Sequence, residues 1–165
     1  MGTRTYSKLP RLYLDMDGVL SDFERGAKEA NLHPSKFKMQ VGAYRYLQPY
    51  AKALEAVDFL SQQAFELFVA TKLPKDNFSA ASEKLSWIEE HFPVLNDRVI
   101  ITPDKGALGR GTDVLIDDHP EWANAKEFGG HVVTFKSWPQ ALTDLGKIHF
   151  LELPAWAKYR AGFGS

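Results

Sequence analysis

Apolar residues in this chain gather into five short runs, at residues 11–15 (RLYLD), 65–70 (FELFVA), 98–101 (RVII), 113–117 (DVLID) and 131–135 (HVVTF). None alternates cleanly with polar residues, the pattern of strands buried on both faces of a parallel sheet. Between several of the runs the period becomes helical. Tyr50, Ala53, Leu54, Val57 and Leu60 form one apolar stripe, and Ala81, Leu85, Ile88 and Phe92 form a second, stopped by Pro93. Residues 120–128 read as a third helix, with Pro in its first turn and Gly129-Gly130 at its end. Ser137 is placed to cap a fourth, with Pro139 early in it. Strands alternating with helices at this spacing predict right-handed βαβ units in a doubly wound α/β sheet. The interval of residues 22–48 is too long for a tight strand-to-helix turn and reads as a small cap insertion over the sheet. The aromatic and basic tail after Leu153 has no assigned place.

The chain has 165 residues, 44% of them hydrophobic, which fits a single domain over 1–165 with an ordinary core. Twenty Lys and Arg against 21 Asp and Glu leave a net charge of −1. That balance gives no broad footprint for duplex nucleic acid or an anionic membrane. With no Cys, disulfide scaffolds, thiolate metal sites and cysteine nucleophiles are excluded. No run approaches the ~18 apolar residues of a membrane span, and residues 1–6 lack the apolar core of a signal peptide. A cytoplasmic protein is therefore expected.

Acidic residues supply the first candidate chemistry. In Asp15-Met16-Asp17-Gly18 two carboxylates fall two residues apart at the end of the first predicted strand, on one side of it, before a glycine that lets the chain turn. Turn-forming aspartates and a ligand site both fit this motif taken alone. A calcium loop fits poorly, because Gly stands at position 4 and Gly26 replaces the Glu of position 12. Asp117-Asp118 follow another strand in the same way, and ligands of open α/β sheets bind at the carboxyl ends of strands. Like charges ~4 Å apart repel by about 4 kcal/mol at an effective dielectric of 20, so such a cluster needs a cation or a proton. An all-oxygen donor set favours Mg²⁺ over zinc. Thr71, ending the second strand, and Lys105, following the third, suit a phosphoryl group, although each residue type is common in solvated turns.

Taken in order, DxDG, Thr, Lys and DD, each after its own strand, the set resembles the haloacid dehalogenase superfamily of phosphohydrolases. Residues 15–24 (DMDGVLSDFE), 83–92 (EKLSWIEEHF) and 116–120 (IDDHP) are similar to motifs of the 5′(3′)-deoxyribonucleotidases. The resemblance implies a three-layer Rossmann-like fold with parallel strand order 3-2-1-4-5 and a reduced cap at about residues 22–48. It implies Asp15 as a nucleophile forming an aspartyl-phosphate, and Asp17 as general acid and then base, with its backbone carbonyl on Mg²⁺. Thr71 and Lys105 would hold phosphoryl oxygens, and Asp117 and Asp118 would complete the metal site with Asp15. The Asp at position 17 separates the chain from the superfamily's dehalogenases, which lack that acid, and from its transport ATPases, which carry Thr there. Metal and Lys105 together would offset the repulsion between a carboxylate and a phosphate dianion.

Two departures accompany the resemblance. Where related enzymes carry Thr-Ser-Pro, this chain has Thr71-Lys72-Leu73-Pro74, so Lys72 stands in place of a phosphate-binding hydroxyl. The insertion is shorter than in the animal enzymes, and Phe23, Phe37, Tyr44 and Tyr46 are candidates either to stack a base or to fill the cap core. Lys84 either reaches the phosphate from its helix or is solvated, and His119 either touches substrate or faces outward. Negative surroundings are expected to raise the proton affinity of whichever acid is off the metal. The expected activity is hydrolysis of small phosphomonoesters, foremost deoxyribonucleoside monophosphates. A phosphatase for bulkier substrates such as 3′-phosphorylated nucleic acid ends, and a silent phosphate-binding module, are the alternatives.

Overall fold

A computed structural model describes residues 9–158. The N-terminal stretch read against a signal peptide and the end of the aromatic tail lie outside the described residues. Five strands, β1 (Arg11–Leu14), β2 (Glu66–Thr71), β3 (Val99–Ile101), β4 (Val114–Asp117) and β5 (His131–Thr134), form one sheet in the order β3-β2-β1-β4-β5. All four pairings are parallel. The expected fold class and strand order are thus observed. β1 lies at the centre, with Leu12 opposite Leu67 of β2 and Val114 of β4. Every strand therefore delivers its carboxyl end to one edge, where β1, β2 and β4 stop beside one another.

The two faces of the sheet are covered differently. Leu12, Leu14, Val69, Val114 and Ile116 face a large core filled by α3 (Ala53–Ser61), α4 (Ala80–His91) and α5 (Trp138–Leu145). Tyr13, Ala70 and Leu115 face a smaller cluster closed by Ala125 and Phe128, with single 3-10 turns at Lys105–Ala107 and Ala125–Glu127. The helix expected over residues 120–128 is not formed. Ala123 and Asn124 adopt positive φ (50° and 54°), which ends any helical run, and both serve a neighbouring loop instead. The Ala123 carbonyl accepts from the Lys105 N–H (2.7 Å), and the Asn124 amide donates to Asp104 (3.0 Å).

Both apolar stripes also sit rotated from the expectation. α3 buries Ala53, Ala56, Val57 and Leu60 and leaves Leu54 exposed. α4 buries Ala80, Lys84, Trp87 and Ile88 and leaves Leu85 exposed. An ammonium with buried partners has taken an inward position that hydrophobicity alone assigns to leucine. α5 begins as expected, with Ser137 and Gln140 in a reciprocal capping box. The tail folds back, and Ala157, in a 3-10 turn at Ala155–Ala157, is buried.

The insertion is pinched at its base. Asp22 N–H donates to the Gln48 carbonyl (2.8 Å) and Tyr50 N–H to that of Leu20 (2.7 Å). Within it, α1 (Phe23–Glu29) and α2 (Pro34–Phe37) enclose a small aromatic cluster of Phe23, Phe37 and Tyr44, with ring centroids 5.2 and 5.6 Å from Phe23. Among the described residues no helix is long and apolar enough to cross a membrane.

Candidate active site

Asp15 follows β1 directly, and its N–H still pairs with the Ile116 carbonyl (2.9 Å), so the backbone is fixed where the side chain departs. Asp117 ends β4. The ammonium of Lys105 lies between them, 2.8 Å from Asp15 Oδ1 and 2.7 Å from Asp117 Oδ2, and all three side chains are buried. Asp118 completes the group. One carboxylate oxygen from each of Asp15, Asp117 and Asp118 falls within 4.8 Å of the others. Gly18 permits this approach: its φ is +84°, and a Cβ there would lie 2.1 Å from Asp118 Oδ2.

Three carboxylates around one ammonium leave an excess of negative charge. Burial, opposed by Lys105 but reinforced by Asp117 and Asp118, pushes the Asp15 carboxyl well above the ordinary range. Burial also raises Asp118, to about 6, with Asp117 adding to the shift and a hydrogen bond from Asp15 opposing it. Burial works against the Lys105 charge, yet Asp15 and Asp117 outweigh it and hold that ammonium more firmly protonated than usual. The donors are all oxygen and the charge is short of a cation, so the group fits a hard divalent ion.

The Asp17 side chain stands outside that carboxylate group. Its Oδ2 accepts from Lys84 Nζ (2.8 Å) and its Oδ1 from the Ser21 hydroxyl (3.2 Å). The Lys84 ammonium faces this acid directly. Lys84 also donates to Thr71 Oγ1 (2.8 Å) and to the Lys72 carbonyl (2.9 Å), and the Tyr44 ring centroid stands 4.6 Å from its Nζ. The solvated alternative for Lys84 is overturned, because its side chain is enclosed by these partners.

The remaining candidates divide. Thr71 is buried at the end of β2, whereas Lys72 is exposed and its carbonyl accepts from Lys84. Phe23 and Tyr44 pack together in the cap core, while Tyr46 faces outward. His119 gives its N–H to Asp117 Oδ1 (2.8 Å), and its ring stacks on Trp122 (centroids 3.9 Å apart) and pairs with Glu121 (2.8 Å). Its Nε2 remains 3.7 Å from Asp118. Two residues beyond the sequence candidates tie the cap to α4. Glu83 accepts from the N–H groups of Gly42 (3.1 Å) and Tyr44 (3.2 Å), and Asn77 donates to the carbonyls of Lys38 (2.8 Å) and Gln40 (3.2 Å). Their only sequence signal is a polar pair flanking the start of a helix.

Residues 19–149 match the family model described as 5′ nucleotidase, deoxy (Pyrimidine), cytosolic type C protein. The chain belongs to this family. It is a phosphatase of the nucleotidase type. The mitochondrial 5′(3′)-deoxyribonucleotidase of Mus musculus is 27% identical over 158 residues, spanning 75% of this chain and 71% of the mouse protein. A putative 5′(3′)-deoxyribonucleotidase of Vibrio phage KVP40 is 26% identical over 128 residues, spanning 74% of each. A solved haloacid dehalogenase family hydrolase from Deinococcus radiodurans R1, with bound phosphate and sodium, shares the fold at a TM-score of 0.52. It is 12% identical and covers 89% of this chain and 99% of its own. The acidic pair at positions 15 and 17 lies just upstream of the family match.

Proposed function

We propose that this nucleotidase-family chain is a Mg²⁺-dependent phosphomonoesterase that works through an aspartyl-phosphate, with deoxyribonucleoside monophosphates as its substrates. The convergence of Asp15, Lys105, Asp117 and Asp118 from three loops onto one sheet edge carries this reading. Asp15, Asp117 and Asp118 are the side chains that would hold the ion, whose positive charge would draw electron density from the phosphoryl oxygens.

The chain's own groups divide the remaining work. The Asp15 carboxylate, whose Oδ1 accepts from Lys105 and from the Met16 N–H (2.9 Å), would be the nucleophile. As its bond to phosphorus forms, the bond from phosphorus to the nucleoside oxygen breaks, and Asp17 gives its proton to the departing oxygen. Asp17 then takes a proton from water, which attacks phosphorus, releases inorganic phosphate and restores the Asp15 carboxylate. Lys84, bonded to both Asp17 and the Thr71 hydroxyl, would face the phosphoryl group. A phosphoryl oxygen that replaces Asp17 as partner of the Lys84 ammonium frees Asp17 to carry the proton.

Phosphate release from deoxyribonucleoside 5′- and 3′-monophosphates, with Mg²⁺ and after chelation, tests the reading. Turnover is expected only with the ion. Asp15→Asn, nearly isosteric, should lower it by about 10⁴-fold or more while leaving the fold cooperative. Turnover retained by that variant removes Asp15 as nucleophile, and no turnover of any nucleotide removes the substrate assignment.

A further inference from the structure

Three of the most exposed large apolar side chains of the described residues, Phe78 (97% exposed), Val41 (85%) and Tyr46 (79%), belong to one rim of the site. They stand on two loops, residues 36–46 and 72–78, which Asn77 and Glu83 bind together through the backbone at residues 38–44. The Asn77 side chain is buried, so the loops hold these groups in water rather than exposing them by fraying. Such a patch marks a partner.

Charge identifies the partner. Residues 36–46 carry Lys36, Lys38 and Arg45 and no acid, and residues 72–78 add Lys72 and Lys75 against Asp76 alone, in a chain whose net charge is −1. All five cations are exposed, and the Arg45 guanidinium lies 5.6 Å from the Tyr46 ring centroid. A two-fold contact between copies would set these cations against their own images, which disfavours self-association through this face. Aromatic platforms interleaved with cations suit single-stranded nucleic acid, whose bases stack while its phosphates are neutralised. The rim also adjoins the Lys84 half of the site. The Lys72 carbonyl is 2.9 Å from Lys84 Nζ, itself 2.8 Å from Asp17, and Tyr46 lies two residues beyond Tyr44, whose ring covers the same ammonium.

We infer that this rim binds single-stranded nucleic acid and that the site removes the terminal phosphate of such a strand as well as that of a free nucleotide. The inference rests on the phosphomonoesterase reading for its chemistry, but the binding surface does not. The test compares a deoxyribonucleoside monophosphate with single strands of about 8 nucleotides phosphorylated at the 3′ or the 5′ end. The double variant Phe78→Ala, Lys75→Gln should raise KM for a phosphorylated strand about tenfold, and leave kcat/KM on the mononucleotide within about twofold. Equal effects on both substrates, or a strand KM no lower than that of the mononucleotide, overturn the inference. Fluorescence anisotropy of a labelled strand, read at two salt concentrations, is independent of turnover. Salt-sensitive binding weakened about tenfold in the double variant supports the surface even where no phosphate is released, and absence of binding overturns it.

Discussion

Two buried lysines organise the two halves of this site, and they solve opposite problems. Lys105 stands among Asp15, Asp117 and Asp118, where one ammonium faces three carboxylates and charge remains uncompensated. Lys84 faces a single carboxylate, a hydroxyl, a carbonyl and an aromatic ring, and every one of its protons has a partner. The first half is built to receive a cation. The second is already neutral, and in the proposed reaction it would receive the phosphate of the substrate. One residue type thus serves two functions, and the count of surrounding charges separates them.

The strongest way to break this comparison is to delete each ammonium. Lys105→Met and Lys84→Met should each cost about 3 kcal/mol of stability, because each leaves buried polar groups unpaired, and Lys105→Met should slow turnover by about 10³-fold. Added Mg²⁺ should restore much of the melting temperature of Lys105→Met and little of that of Lys84→Met. Equal recovery in both would mean that the halves do not differ in charge balance.

A smaller effect sharpens the same point through pH. Burial holds Asp15 and Asp118 above the usual carboxylate range, Asp118 at about 6, so the folded chain binds these protons more tightly than the unfolded chain. The stabilising contribution of Asp118 is complete below about pH 4 and is lost as pH rises through about 6; that of Asp15 is likewise lost as pH rises. In chelator the melting temperature should therefore fall between about pH 5 and pH 7, Mg²⁺ should reverse the fall, and Asp118→Asn should flatten it. A wild-type profile that is flat in chelator would show that the carboxylates are balanced without an ion.

The smallest expected effect concerns the cap. Glu83→Gln removes a charged acceptor from two backbone N–H groups and should cost about 1–2 kcal/mol. Hydrogen exchange at Gly42 and Tyr44 should accelerate, with little change at Lys105. Unchanged exchange would mean that the cap is held by its aromatic cluster alone.

Much of the fold is legible in the chain because buried parallel strands announce themselves. All five apolar runs became strands within a residue or two, and the acids and Thr71 that follow them sit at the shared edge. Asp22 and Gln48, at about the bounds read for the insertion, share a backbone hydrogen bond. What resisted reading involves groups whose partners are remote in sequence. Residues 120–128 carry helix-favouring ends, yet the loop bearing Lys105 draws Ala123 and Asn124 into left-handed conformations. Leu85 has the hydrophobicity of a core residue and lies in solvent, because Lys84 beside it holds Asp17 and Thr71.

Local order along the chain determined which side chains arrive at the sheet edge, since a run of apolar residues followed by a turn places the next acid or hydroxyl there whatever else folds around it. Only the tertiary structure decided which charge meets which. The assignment of Lys105 to Asp15 and Asp117 and of Lys84 to Asp17 depends on loops 12 to 90 residues apart meeting in a space where water no longer screens them.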